Sequence, residues 1–351
     1  MFFTKKVDSK FALVGSGKVL CFFARRLIEL NFPKPIIISW DRKKHKRDQL
    51  LLSGSSNFES IFDLAVEYEI NLYEIESINS PESFEILKSE NIDVVFSLSS
   101  RWIFSKELIN LFSPNILNIH GGFLPHDRGS VVYSKILNNI SYAGATIHQV
   151  TPDIDAGPIF LRKKKEISDK QPTITIHTNE MHRLCFELLD ELLIKIINNE
   201  EIEEIHQEIS EGVYMPQPYT ELNGLINWDW KILYLERFLR AFGSPMPGAW
   251  TFFKNEKISI TDYEIILSDI SFHPFYYGRV VNVNNKKYAK VICNGGFVVI
   301  KSIFYRGKTS KAGAVLKVSD VLYSSEKELL DAKISSMRTL SMPLPLNYKN
   351  S

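Results

Sequence analysis

Through the first two hundred residues, short apolar runs alternate with longer stretches whose apolar residues recur at helical spacing. Few folds accept that alternation. "KFALVG" (10–15), "KPIIISW", "INLYEI", "IDVVFSLSS", "NILNIH" and "GATIHQV" have the length and content of strands. Between them, the stretch from about Lys18 to Leu30, "NFESIFDLAVEYE" and the proline-led "PESFEILKSE" have helical spacing. Strands alternating with helices predict an α/β fold with a doubly wound, Rossmann-like and mostly parallel sheet. Ligands of such sheets bind beyond the carboxyl ends of the strands.

The second half reads differently. A long helical pattern runs from roughly Thr173 to Asn199, and an acidic, then proline-punctuated segment ending "YMPQPYTEL" follows. After it come one helix ("WKILYLERFLRAFG") and the runs "GAWTFF", "KISITDYEII", "YYGRVVNV", "YAKVIC" and "GFVVIKSIFY". Short β-rich runs cut by Gly or Asn-Asn turns predict a smaller, barrel-like domain. The expected division is a catalytic domain over 1–205, a linker over 206–222, a β-rich domain over 223–318 and a helical tail over 319–351.

With 351 residues, 44% of them hydrophobic, the chain is long enough for two cores. Its net charge of +1 shows no bias toward nucleic acid or acidic membranes. From Met215 onward there are 18 Lys and Arg against 11 Asp and Glu, a net of +7, so the remainder carries about −6. Cys21, Cys185 and Cys293 have no C-x-x-C spacing, which argues for a reducing compartment and against zinc. "MFFTKKVDSK" lacks a signal peptide's apolar region, and no run reaches the ~20 apolar residues of a membrane span. A cytoplasmic protein is expected. "VGSGKVL" has Leu20 where a dinucleotide fingerprint needs its third glycine. His177 and His182, five apart, make a poor metal pair.

"NILNIHGGFLPHDRG" (115–129) breaks the rule for a buried strand. Side chains alternate along a strand, so Asn118 and His120 share one face among Ile116, Leu117 and Ile119. Leaving either buried without a partner costs ~1–3 kcal/mol. They either tie the following loop to the sheet or form a site. "TIHQVTPDIDAGPIF" adds Asp155 in a tight Asp-Ala-Gly-Pro turn. A carboxylate beside His120 would fix the imidazole tautomer, and the Asn118 amide could donate to an oxygen gaining charge. One such donor is worth roughly 3–4 kcal/mol in acyl transfer. In that reading His120 moves the proton and Asp155 orients it. His148 reads as structural.

"LNIH", "FLPHDRG" and "IDAGPI" resemble the Asn-x-His, Leu-Pro-x-x-Arg-Gly and D-x-G motifs of the 10-formyltetrahydrofolate-dependent formyltransferases. "INWDW…LERFLRAFGSPMPGAWTFF" is similar to the start of the carboxyl-terminal domain in two-domain members. The resemblance implies Asn118, His120 and Asp155 as the catalytic trio, N10-formyltetrahydrofolate as formyl donor and no metal. It implies folate contacts from Arg101, Trp102, Ile103 and Phe104, with Val150 and Asp153 opposite. On the acceptor side it implies Ser16 and Lys18, joined by Arg128 and Gly129 from the loop over the site.

Two-domain relatives formylate nucleotide-linked amino sugars or methionyl-tRNA. The basic run "DRKKHKR" favours tRNA, although a charge run is usually a solvated surface. "VGSGKVLCFF" and "VVFSLSSRWIFS" depart from the tRNA enzymes and look more like sugar N-formyltransferases, which serve bacterial surface glycans. The expected partner is therefore a nucleotide-linked amino sugar, with tRNA the alternative. Hydrolysis of the folate is disfavoured, because relatives that do this carry an amino-terminal domain for which the first ten residues leave no room. A non-catalytic folate-binding module would have little reason to keep three costly polar positions. "HPFYYG" lines either a homodimer contact or the second core.

Overall fold

The computed structural model describes residues 8–53, 57–113, 115–284 and 286–335. The apolar runs become β1 (Phe11–Gly15), β2 (Ile36–Trp40), β3 (Leu72–Ile75), β4 (Val94–Leu98), β5 (Ile116–His120), β6 (Asp127–Gly129), β7 (Tyr142–Gln149), β8 (Ile159–Glu166) and β9 (Val213–Met215). Every residue of β1, β2 and β4 is buried, as strands covered on both faces require. One sheet has the order β3-β2-β1-β4-β5-β7-β8, its first five strands parallel, β7 antiparallel to β5 and β8 antiparallel to β7. Around it lie α1 (Lys18–Glu29), α2 (Arg42–Leu52), α3 (Ile61–Glu67), α4 (Pro81–Ser89), α5 (Lys106–Phe112) and, beyond α6 (Val132–Leu137), the long α7 (Ile174–Ile197). Ser60, Ser80 and Ser105 cap their helices by accepting a backbone N–H three residues on, and Pro81 opens α4.

The chain forms two compact units that are not consecutive stretches. Among the described residues, the first comprises 8–131, 142–170 and 176–215; the second comprises 132–141, 171–175 and 216–335. Part of the segment expected to be a linker is built into the first unit. Within it β9 (Val213–Met215) pairs in parallel with β6, and just ahead of it Ile205 exchanges two 2.8 Å backbone hydrogen bonds with Ile159. Backbone polar groups need partners, and docking supplies them to this segment.

The second unit holds α6, α8 (Thr220–Asn223), α9 (Ile232–Ala241), β10 (Trp250–Phe253), β11 (Glu256–Leu267), β12 (Val280–Asn284), β13 (Tyr288–Cys293), β14 (Gly296–Tyr305), β15 (Lys308–Lys311), α10 (Ala312–Val315) and α11 (Glu326–Ile334). Its antiparallel sheet runs β10-β11-β14-β13-β12, with β15 on β14. Residues 321–323 bridge its two ends, Tyr323 to Phe252 and Val321 to Arg279, which makes it barrel-like. Ile136 and Ile174 belong to this unit's core with Phe238, Phe242 and Ile300, which is why 132–141 and 171–175 cluster here. Of the expected tail, α11 is described and 336–351 lie outside the described residues.

Candidate active site

β5 ends in the polar pair, and register decides what faces it. Directly opposite Asn118 is His148 on β7, and opposite His120 is Thr146. Opposed residues of an antiparallel pair project to the same side, so Asn118, His120, Thr146 and His148 form one polar patch. Thr146 Oγ1 donates to the Gly122 carbonyl (2.7 Å) and accepts from Leu124 N–H (3.2 Å), anchoring the loop that follows.

His148 is buried, and its hydrogen bonds define its tautomer. Nδ1 lies 2.8 Å from the Gln149 carbonyl, which can only accept, so Nδ1 carries the proton. Nε2 is then free to accept from Asn118 Nδ2 at 3.0 Å. Burial pushes the imidazole down to about 4, with Asp155 and the Gln149 bond pulling the other way, so it is neutral at pH 7. Asn118 thus spends one amide N–H on His148 and keeps the other.

His120 Nε2 donates to the Asp127 carbonyl at 2.5 Å, and its Nδ1 faces Asp155 Oδ2 at 3.6 Å. That gap exceeds a hydrogen bond and leaves Nδ1 available to take a proton beside a carboxylate. Asp155 Oδ1 is also 3.7 Å from His148 Nε2. The Asp155 backbone sits at φ 52. Three groups hold it there. Gly129 N–H donates to Oδ2 (2.9 Å), Arg128 Nε and Nη2 donate to the Ile154 carbonyl (3.0 and 2.6 Å), and Gln207 Nε2 donates to the Asp155 and Gly157 carbonyls (3.1 and 2.6 Å). Burial works to raise the Asp155 carboxyl, yet His120, His148, the Gly129 N–H and Arg128 together hold it below its ordinary value.

The loop between the motifs is pinned by a residue that sequence reasoning passed over. Asp127 Oδ2 accepts from Phe123 N–H (2.9 Å) and Oδ1 from Tyr142 OH (2.9 Å), while its carbonyl holds His120. Gly122 is required here, because a Cβ would come within 2.7 Å of the Asp127 carbonyl and His120 Nε2. His148, read as structural, is a member of the cluster. Its place two residues before Val150 was visible; its register opposite Asn118 was not.

Arg128 and Gly129, expected on the substrate, are engaged with the Asp155 turn. Ser16 and Lys18 lie on the β1–α1 turn, where Ser16 Oγ meets His45 Nδ1 at 3.2 Å. Arg101, Trp102, Ile103 and Phe104 follow β4. Arg101 pairs with Asp48, Ile103 is 59% exposed, and Phe104 is committed to the core. The part-buried Trp102 ring stands edge-on to Trp40 at 5.6 Å, with its Nε1 buried and unpartnered. Val150 donates to the carbonyl of Ile116 at the amino-terminal start of β5, and the Asp153 side chain is exposed. The basic run forms α2, capped by Asp41, and His45 turns inward from it.

A formyl transferase model matches residues 45–191, and a formyl transferase C-terminal domain model matches 219–319. Among solved structures the chain resembles WlaRD, a sugar 3N-formyl transferase determined with dTDP and 5-N-formyl-THF. The identity is 20% and the TM-score 0.57, over 88% of this chain and 99% of that one. It resembles the N-formyltransferase from Helicobacter canadensis in complex with folinic acid and dTDP-3-aminofucose, at 18% identity and TM-score 0.60, over 84% and 100%. HypX from Aquifex aeolicus matches at 15% identity and TM-score 0.57, over 88% of this chain and 48% of that one. At such identities the likeness is one of fold. With the two family models spanning the first unit's site and most of the second unit, the chain belongs to the formyl transferase family.

Proposed function

We propose that this protein transfers the formyl group of N10-formyltetrahydrofolate to the amino group of a nucleotide-linked amino sugar, for bacterial surface glycan synthesis. The observation that carries the chemistry is the joint arrangement of Asn118, His120 and Asp155 about one polar patch on β5 and β7. The sugar assignment is supported by matches along nearly the whole length of two sugar N-formyltransferases, second unit included.

The residues fit the donor. Exposed Ile103 and Ile154 offer apolar surface from the two loops expected to hold folate, and the buried Trp102 N–H lacks an acceptor that a pterin or its linker could supply. The folate supplies an activated formyl carbon. The chain does the rest. Asn118 gives its remaining N–H to the formyl oxygen as that atom gains negative charge. His120 Nδ1 accepts the proton shed by the attacking amine, and Asp155 stabilises the imidazolium so formed. As the new carbon–nitrogen bond forms and the bond to N10 breaks, His120 returns that proton to the departing nitrogen. Asp127 and His148 position His120 and Asn118.

No helix among the described residues is long and apolar enough to cross a membrane. The three buried, unpaired thiols suit a reducing compartment, so the cytoplasm is the proposed location. The test is tetrahydrofolate release from 10-formyltetrahydrofolate with dTDP-, UDP- and GDP-linked amino sugars, offered separately beside methionyl-tRNA. Turnover with a nucleotide-linked amino sugar is expected; turnover with methionyl-tRNA alone overturns the assignment.

A further inference from the structure

One hydrogen-bond chain at the carboxyl ends of β1 and β2 has a direction, and it bears on what the β1–α1 turn recognises. His45 stacks on Trp40, with ring centroids 4.9 Å apart and planes 13° from parallel. Its Nε2 lies 3.2 Å from the Trp40 carbonyl and 3.2 Å from Ser39 Oγ. The carbonyl can only accept, while the Ser39 hydroxyl can accept as well as donate, so both contacts are satisfied with the hydrogen on Nε2. Burial pushes this imidazole below its ordinary value and Arg101 adds to the effect, against the Trp40 bond, Asp48 and Glu74; the ring is neutral. Its Nδ1 is therefore a bare lone pair, 3.2 Å from Ser16 Oγ, and Ser16 must donate to it. The Ser16 amide is spent as well, on the Leu98 carbonyl at 3.2 Å.

Both hydrogens of Ser16 are thus committed, and only oxygen lone pairs remain to face a ligand. Ser16 is half-buried, and a Cβ added to the next residue, Gly17, would meet nothing within 4 Å. Gly15 pairs with Leu98 and Leu98 with Ile119, so this turn stands two strand spacings, about 10 Å, from the end of β5. An acceptor molecule whose amine reaches His120 can extend that far.

We propose that His45 holds Ser16 as an acceptor-only recognition group, so that this turn takes a hydroxyl hydrogen of the amino sugar rather than a phosphate oxygen. The inference rests on the amino-sugar reading for the identity of the ligand, and His45 is its positioning residue. A phosphate needs donors, and Ser16 has none left to give.

The tautomer can be read without substrate. In protein labelled with ¹⁵N-histidine at pH 7.5, long-range nitrogen–proton correlations should show His45 protonated at Nε2 alone, its signal identified by loss in His45→Gln. A ring protonated at Nδ1, or at both nitrogens, overturns the proposal. Calorimetry then compares dTDP-3-aminofucose with dTDP alone. Ser16→Ala should weaken the sugar nucleotide about fivefold, the worth of one neutral hydrogen bond, and dTDP less than twofold. Equal weakening of both places a phosphate on Ser16, and no change removes the contact; either overturns the proposal. Wild-type protein inactive with every amino sugar would defeat the functional reading, while the tautomer would still be decided by the spectrum.

Discussion

Asn118 Nδ2 donates to His148 Nε2 across the β5–β7 pair at 3.0 Å, and this bond settles which way the Asn118 amide points. His148 can accept there only because its own proton is held by the Gln149 carbonyl. Removing the imidazole frees the amide to rotate and leaves a half-buried N–H without a partner. His148→Leu should lower kcat of formyl transfer about 10- to 100-fold with KM for the acceptor changed less than threefold. Steady-state kinetics decide this, and an unchanged kcat would make His148 a packing residue only.

The acid stability of the protein should carry the signature of the same imidazole. His148 titrates near 6.5 in the unfolded chain and at about 4 in the folded one, so the unfolded state binds more protons between those values. Its contribution is complete above pH 6.5 and is lost as pH falls to 4, up to about 3 kcal/mol. Asp155, held below its ordinary value, adds a loss that begins only as pH falls below about 4. Urea unfolding of wild type between pH 7.5 and 4.5 should show the decline, and His148→Leu should make it shallower, with the buried His182, also pushed down to about 4, keeping the remainder.

Asp155→Asn keeps an oxygen for the Gly129 N–H but removes the charge beside His120 Nδ1. Turnover should fall about 10³-fold, since an imidazolium at His120 would lose its stabilising carboxylate. The midpoint of thermal unfolding should move little. Near-normal turnover would take Asp155 out of the proton chemistry.

Gly129 is placed for its backbone. At φ 78 it occupies a conformation L residues avoid, and a Cβ would lie 2.3 Å from the Met215 carbonyl, across the β6–β9 pair. Gly129→Ala should destabilise the fold by about 1–3 kcal/mol and, by shifting the N–H that holds Asp155, reduce kcat as well. Chemical denaturation and kinetics on one preparation check both.

Asp127 and Tyr142 test whether the loop positions His120. Asp127→Ala removes the acceptor for Phe123 N–H and Tyr142 OH, so the carbonyl holding His120 loses its support. A fall in kcat of about 10- to 100-fold is expected, against a few-fold for Tyr142→Phe, which deletes one neutral bond. Equal effects would show that the tyrosine bond alone orders the loop.

Chain-local physics made much of this legible. Short, mainly apolar runs such as "FALVG" and "VVFSL" read as covered strands, and Pro81 marked a helix start. Period-two alternation set Asn118 and His120 side by side, and the D-x-G turn drew attention to Asp155. What sequence spacing does not encode is register between distant strands and the return of remote segments. His148 faces Asn118 because β7 runs antiparallel in one particular register, and a shift of one residue would turn it away. Gln207 reaches the Asp155 turn across fifty residues, and Arg128 spends its guanidinium on the Ile154 carbonyl instead of remaining free for substrate. The residue types of the site are therefore readable along the chain; their tautomers, partners and directions come from tertiary packing, because a hydrogen bond's direction depends on the atoms opposite it.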